Sequence, residues 1–223
     1  MTVRGIVLSR TEMSGGTFCG CAAIERGGSW EQVRLLSSQG THLHPSLFGI
    51  EGGALRALWR PGREISLPDP FRSQPRTTHP EDRLVDPRRI EFGRITDAAT
   101  ARTVVSAFAF RSVAEMFPGV IRQDNGKAYA RGDRSQIRSV GYVHCERLTV
   151  VENEFAVVRV AGEEKLLCKV KSEIFLEKIR DGRVLPGSAY PARLVRLGLA
   201  NPTDWEGRFD PARCYVMLTG TIR

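Results

Sequence analysis

The sequence predicts a mainly β protein with one central helix, and three observations lead to this class. Residues 3–38 read as short strands with a two-residue period. Residues 145–222 read the same way. Between these two parts, residues 96–119 have apolar residues at helical spacing and end in a helix stop.

The first half opens with three strand-like runs, VRGIVLSR at 3–10, FCGCAAIE at 18–25 and SWEQVRLLS at 29–37. Gly27 and Gly28 join the second run to the third and supply the positive φ that a tight hairpin needs. A fourth candidate, REISLPDP at 63–70, is limited by its prolines to an edge or an ending. The proline-rich residues 70–89 predict a long surface loop.

The helix begins at Thr96 or Asp97, either of which can cap it, and stops at Pro118–Gly119. The segment that follows, residues 121–139, carries five basic and two acidic residues and has no apolar period. It is either a solvated linker or an arm that becomes ordered on a phosphate backbone.

The second half contains five short runs, ERLTVVEN, FAVVRVAG, KLLCKVKS, YPARLVRLGL and CYVMLTGTIR. Five strands in so short a stretch fit a small barrel, and the oligonucleotide/oligosaccharide-binding (OB) barrel is one candidate. We divide the chain into an N-terminal β domain with long loops at 1–95, a helix and basic connector at 96–140, and a C-terminal barrel at 141–223.

The chain of 223 residues has 33 Lys and Arg against 25 Asp and Glu, a formal charge of +8. This balance favours a polyanionic partner, since each neutralised phosphate releases counterions. The five cysteines have no spacing typical of disulfides or zinc, so reduced thiols in the core are expected at Cys19 and Cys21. No membrane-length apolar run or signal peptide is recognisable, which predicts a cytoplasmic protein without a membrane partner.

The strand pattern resembles the dual OB-domain family of bacteria. The resemblance rests on VLSR at 7–10, the Cys- and Ala-rich run at 18–25, the Trp-containing run at 29–38, ISLPDP, HPEDRLVD, SVGYVHCERLTV, KLLCKVKS and the closing CYVMLTGTIR. It departs from the family pattern at 30–37, where the arginine is displaced to Arg34 and no proline follows. The resemblance implies two tandem five-stranded OB barrels and a nucleic-acid-binding or nucleotide-binding role in bacterial antiviral defence.

Signatures of catalysis and of cofactor binding are missing from the sequence. It contains no G-x-S-x-G, P-loop or dinucleotide fingerprint, so neither an enzyme nor a bound cofactor is predicted. His42, His44 and His79 lack the spacing of zinc ligands, and no metal site is predicted. His79, Glu81 and Asp82 fit either a turn or an acid–base or metal site.

Candidate nucleic-acid contacts are basic and aromatic residues expected on strand faces or in exposed segments. In OB barrels, strands two and three carry the rings that stack on bases and the cations that meet phosphates. Trp30 and Arg34 share one strand face by the two-residue period, and Phe18 lies on the adjoining run. The full set is Arg4, Arg10, Phe18, Trp30, Arg34, Arg131, Arg134, Lys169, Lys171, Arg193, Arg196 and Trp205.

These observations predict a non-enzymatic protein that binds DNA or RNA through a basic OB surface, as an accessory or sensor component of a defence system. Two alternatives remain open. One is a protein-interaction subunit of an effector complex in which the basic surface is incidental. The other is a metal-dependent nuclease that uses His79, Glu81 and Asp82.

Overall fold

A computed structural model describes residues 2–69, 79–117, 121–131, 138–152, 154–160, 165–200 and 213–222. The chain forms two compact units, residues 1–108 and 109–223. Both are built mainly from β-strands, as the sequence predicts. No helix in the described part of the chain is long and apolar enough to cross a membrane.

The first unit contains six described strands and two α-helices. They are β1 Thr2–Glu12, β2 Phe18–Arg26, β3 Ser29–Ser37, α1 Gly52–Leu58, β4 Arg63–Pro68, β5 Asp82–Val85, β6 Glu91–Ile95 and α2 Ala98–Ser106. The predicted hairpin between β2 and β3 is confirmed, with φ of 56° at Gly27 and 78° at Gly28. The loop predicted at 70–89 contains a strand, because β5 pairs with β3 in parallel.

The strand pairing of the first unit is that of an OB barrel. β1 pairs antiparallel with both β2 and β4, and β2 pairs antiparallel with β3. The fifth barrel strand is interrupted: β5 pairs with β3, and β6 pairs antiparallel with β4. A closed order with the third strand parallel to the fifth, and a helix between the third and fourth, is the five-stranded Greek-key arrangement.

An aromatic cluster fills one end of the first barrel. The rings of Phe18, Phe48 and Trp59 lie 5.4 to 6.1 Å apart between centroids, and all three are buried. Gly20 faces this cluster, and an added Cβ there would lie 2.6 Å from Trp59 Cζ2. The close approach of the Trp59 ring therefore requires glycine at this position of β2.

The second unit contains eight described strands and two α-helices. They are α3 Val113–Met116, β7 Ile121–Asp124, β8 Lys127–Arg131, β9 Val140–Glu152, β10 Phe155–Val160, β11 Lys165–Val170, α4 Glu173–Arg180, β12 Ala189–Tyr190, β13 Leu194–Leu199 and β14 Arg213–Ile222. All five strands predicted for the second half are present.

These strands again close in the OB order. β9 pairs antiparallel with β10 and β13, β10 with β11, and β13 with β14. β11 and β14 run parallel and close the barrel, and α4 lies between the third and fourth barrel strands in the chain. Alternate residues of these strands, such as Val158, Cys168 and Leu218, are fully or almost fully buried in one core.

The central helix differs from the continuous one predicted. Asp97 caps α2 as expected, and its carboxylate accepts a hydrogen bond from Thr100 N at 2.8 Å. The helix ends at Ser106, and Phe110 then forms a bridge with Val143 on β9. Phe110, Val113, Met116 and Phe117 pack in or against the core of the second unit, which sequence periodicity does not reveal.

The basic segment 121–139 also differs from a structureless linker. Residues 121–131 form the β7–β8 hairpin, and β8 pairs antiparallel with the start of β14. Asn125 and Gly126 form its turn with φ of 49° and 75°. Asn-Gly is a favoured pair for such a two-residue turn, since both residues tolerate positive φ.

Candidate nucleic-acid interface

The outer face of β2 and β3, where Trp30 and Arg34 were expected to be exposed, is largely buried. Val33 and Leu35 point into the barrel core, and the alternate residues point outward. Of these outward residues, Gln32 is 5% exposed and Leu36 is 4% exposed. Trp30, near the hairpin end, is half-buried. Most of this face is therefore not a solvent surface on which nucleic acid could lie.

Arg34 forms a buried ion pair with Asp82 on β5. The two hydrogen bonds are 2.6 Å from Nε to Oδ1 and 2.9 Å from Nη2 to Oδ2. The Arg34 side chain is 13% exposed and that of Asp82 is 0% exposed. The structure thus places Arg34 in a pair that joins β3 to β5, which differs from the phosphate contact predicted.

Charge and hydrogen bonding hold both members of this pair ionised. Burial alone would lower the pKa of Arg34, but hydrogen bonding and the charge of Asp82 raise it above its ordinary value. Burial would raise the pKa of Asp82, but the bonds and charge of Arg34 lower it. His79 N also donates to Asp82 Oδ2 at 3.1 Å, so His79–Asp82 forms a turn built around this carboxylate.

Other residues predicted in the first barrel have structural contacts. Phe18 is fully buried in the aromatic cluster, so its ring is not available for stacking on a base. The Arg10 guanidinium lies 4.8 Å from the centre of that ring. Arg4 is exposed and pairs with Glu64 at 3.2 Å. The position of Phe18 differs from the prediction because Phe18 belongs to the alternate residues of β2 that face the barrel core.

The basic residues predicted in the second half have different positions. Lys169, Lys171 and Arg193 are exposed. Arg196 is 1% exposed and donates from Nη1 to Thr219 Oγ1 at 3.1 Å, so it is not a surface cation. Arg131 lies on β8, and its side chain is not described. Arg134 and Trp205 lie outside the described residues.

The structure brings together a different set of cations on the outer face of β9, β10 and β11. In register, Arg159 on β10 lies opposite Arg147 on β9 and opposite Lys165 on β11. All three side chains are exposed. We call these three residues the cationic row. None of them has a carboxylate partner among the residues that the structure describes.

An aromatic residue lies on the same face, four positions along β10. Phe155 is half-buried and lies opposite Lys169 on β11, which pairs with Glu154 at 3.0 Å. Lys127 Nζ lies 5.5 Å from the centre of the Phe155 ring. Val157 and Leu167 lie opposite each other between this ring and the cationic row, and both are half-buried apolar residues. The face therefore combines exposed cations with an aromatic ring and apolar surface.

The electrostatics of this face favour anions. It carries the cationic row with Lys127 and Lys169, against Glu152 and Glu154 at one end. A hydrogen bond from Lys169 and the charges of Lys169, Lys171 and Arg180 lower the pKa of Glu154. Like charges directly opposite in a strand pair are destabilising. Within the described part of the chain, the cationic row is therefore a destabilising feature that a bound anion would relieve.

Sequence reasoning missed Arg147, Phe155 and Arg159 as site residues. The signal was present in the sequence, because ERLTV and FAVVR are antiparallel neighbours in which Arg159 lies opposite Arg147. Lys165 then follows from the next hairpin. The strand runs alone do not define the register between strands, and the register is what brings these residues together.

No group of three or more His, Cys, Asp and Glu that could hold a metal ion occurs in the described part of the chain. His44 Nδ1 instead accepts from Ser46 N at 3.2 Å and begins a short 3-10 turn. His79 and Asp82 belong to the turn and ion pair described above. Cys21, Cys168 and Cys214 are buried.

No family model and no curated protein matches the chain. Similar solved structures include the p204 HINb domain, 14% identical over 96% of this chain and 95% of that chain, with a TM-score of 0.37. The Ifi202 HINa domain in complex with 20-bp double-stranded DNA is 11% identical over 99% and 90%, with a TM-score of 0.38. A murine DNA-binding protein bound with double-stranded DNA is 8% identical over 100% and 94%, with a TM-score of 0.35. The assignment of both units to the OB class rests on their strand pairing.

Proposed function

We propose that this protein binds nucleic acid through the outer face of β9, β10 and β11, without catalysing a reaction. The cationic row is the observation that carries the proposal. Three exposed cations lie directly opposite one another on three adjacent strands and have no acidic partner in the described part of the chain. A polyanion would relieve their mutual repulsion and bind with a gain from counterion release.

The position of the row in the fold supports the same function. β10 and β11 are the second and third strands of the second barrel, and that pair carries the ligand surface in OB folds that bind oligonucleotides. Phosphates would lie along the cationic row, and a base would reach the Phe155 ring across Val157 and Leu167. Backbone contacts of this kind give little preference for sequence.

The cellular role of the protein is part of the same proposal. The dual OB-domain resemblance supports an accessory or sensor component of a bacterial defence system that acts in the cytoplasm on DNA or RNA. The resemblance to that family rests on the strand motifs alone. The proposed interface does not depend on it, because it derives from strand register and exposure.

The test is fluorescence-anisotropy binding of labelled single-stranded and double-stranded DNA and RNA over a salt series. For single strands each phosphate contact contributes about −0.7 to the slope of log K against log salt, so the cationic row contributes about −2. The double variant Arg159→Ala/Lys165→Ala should make the slope less steep by about 1.4. Arg88→Ala/Arg89→Ala, two exposed cations of the first unit, is the charge-matched control.

Equal loss of binding in the test and control variants would overturn the proposed interface, because net charge alone would then explain affinity. Absence of binding to all four ligands at low salt would overturn the function itself. A protein partner bound with little dependence on salt would in that case favour the interaction-subunit alternative.

A further inference from the structure

A second aromatic and cationic cluster lies at the junction of β8 and β14, outside the β9–β11 face. Tyr129 and Tyr215 are opposite each other in register, and their ring centroids are 5.9 Å apart. The Arg213 guanidinium lies 4.4 Å from the centre of the Tyr129 ring and also bonds to Asp124. Tyr129 is 7% exposed and Tyr215 is half-buried, so Tyr215 is the more accessible ring.

This cluster points to the same side of the sheet as Phe155. Cys214 and Val216 on β14, and Ala128 and Ala130 on β8, belong to the core of the second unit. By the two-residue period, Arg213, Tyr215, Lys127 and Tyr129 therefore lie on the outer face, as Phe155 does on β10. That face extends from the barrel strands onto the added hairpin.

Two contacts join the hairpin to the cationic face. Leu167 N donates to Gly126 O at 2.9 Å, which holds the hairpin turn against β11. Lys127, the residue after this turn, reaches the Phe155 ring. The hairpin is thus part of the same surface and brings the tyrosine cluster beside it.

The two accessible rings are close enough for one short ligand. Phe155, Lys169 and Met217 form a row across β10, β11 and β14, and Tyr215 is two residues along β14 from Met217. Strands are about 4.8 Å apart and rise about 3.3 Å per residue, so the Cα atoms of Phe155 and Tyr215 are about 12 Å apart. One OB fold contacts roughly 4 to 16 nucleotides, so a single oligonucleotide can reach both rings.

We propose that Tyr215, supported by Arg213 and Tyr129, forms a second base-binding subsite, and that the ligand is a single strand with one base on Phe155 and another on Tyr215. This inference rests on the proposed function. A ring on a sheet surface stacks only on a base whose own face is exposed, as in single strands. Arg213 bonds to Asp124 and lies over the Tyr129 ring, and Tyr129 packs against Tyr215, which restricts the Tyr215 ring before binding.

The experiment uses oligodeoxynucleotides with an abasic sugar-phosphate backbone that carry either one thymine or two thymines at varied spacing. Binding is measured by fluorescence anisotropy with a fluorescein label. With two thymines at the fitting spacing, affinity should exceed that of the one-thymine oligonucleotide about 5- to 150-fold. Phe155→Leu or Tyr215→Leu should each remove this gain, whereas Tyr215→Phe, which keeps the ring, should retain it.

The outcomes distinguish a failure of the second subsite from a failure of the proposed nucleic-acid binding. If a second thymine adds no affinity at any spacing, or if Tyr215→Leu keeps the gain, the second subsite is wrong while binding of the abasic backbone preserves the proposed function. Tighter binding of a 20-bp duplex than of the two-thymine strand would overturn the single-strand assignment. Failure of every oligonucleotide to bind at low salt would overturn the proposed function as well. Ribose versions of the two-thymine ligand distinguish RNA from DNA.

Discussion

Removal of Arg34 should destabilise the first barrel in a strongly pH-dependent way. The Asp82 carboxylate is 0% exposed and accepts two hydrogen bonds from Arg34 and one from His79 N. In Arg34→Met the side-chain volume is largely kept, but the carboxylate loses its charged partner. A buried carboxylate without a partner takes up a proton rather than remain charged.

The free energy needed to protonate Asp82 in the folded variant sets the size of the destabilisation. At pH 7 it is about 4 kcal/mol, because pH 7 is about three units above the ordinary pKa of Asp and each unit is worth about 1.4 kcal/mol. At pH 5 the same cost is about 1.5 kcal/mol. In the native protein the pKa of Asp82 is lowered, so the pair stabilises above the unfolded pKa and is lost as pH falls through the folded value. The difference in unfolding free energy between native protein and variant should therefore increase from pH 5 to pH 7.

The assay is urea unfolding followed by tryptophan fluorescence in a Trp205→Phe background, where Trp30 and Trp59 of the first unit remain. Arg4→Met serves as the control, since its pair with Glu64 is solvent-exposed and should contribute less than about 1 kcal/mol. A difference for Arg34→Met that stays constant between pH 5 and pH 7, or that is no larger than the Arg4→Met control, would refute the buried-pair argument.

Three further predictions test other parts of the fold. Gly20→Ala should lower the free energy of unfolding by about 1 to 3 kcal/mol in the same urea assay, because its Cβ would meet the Trp59 ring at 2.6 Å. Asp97→Ala should lower the free energy of unfolding in the same assay through loss of the α2 cap, whereas Asp97→Ser should retain most of that stability. Burial raises the pKa of Cys168 to about 12, so its thiol should stay unalkylated by iodoacetamide at pH 8 until urea unfolds the chain. Mass spectrometry of the modified peptide measures this, and labelling in the folded protein would contradict the burial.

Much of the fold could be predicted from local pattern. The two-residue period marks β1 to β4 and the five strands of the second barrel, and Gly27–Gly28 marks their most definite turn. The cap of α2 at Asp97 also follows from residue type. Two predictions were wrong: the helix does not continue through Phe110, and residues 121–131 form a hairpin. α1 and α4 were not predicted at all.

The candidate site was predicted less well than the fold. Lys169 lies on the face that we now favour, but Phe18 is in the core and Arg34 is paired with a residue 48 positions away. A two-residue period assigns residues to one face or the other of a strand. It does not state which face is covered, since that depends on segments distant in the chain.

The sequence by itself determined the β-rich class, the turns, the basic charge and the alternation of apolar with polar residues, because these depend on neighbours a few residues apart. Only the tertiary structure decided which cations remain exposed and which are neutralised. Arg34 and Arg159 look alike as arginines in alternating strands, but one faces a buried carboxylate and the other faces Arg147 and Lys165. That difference arises from strand register and closure of the barrel, which set the charges around each side chain through contacts between distant residues.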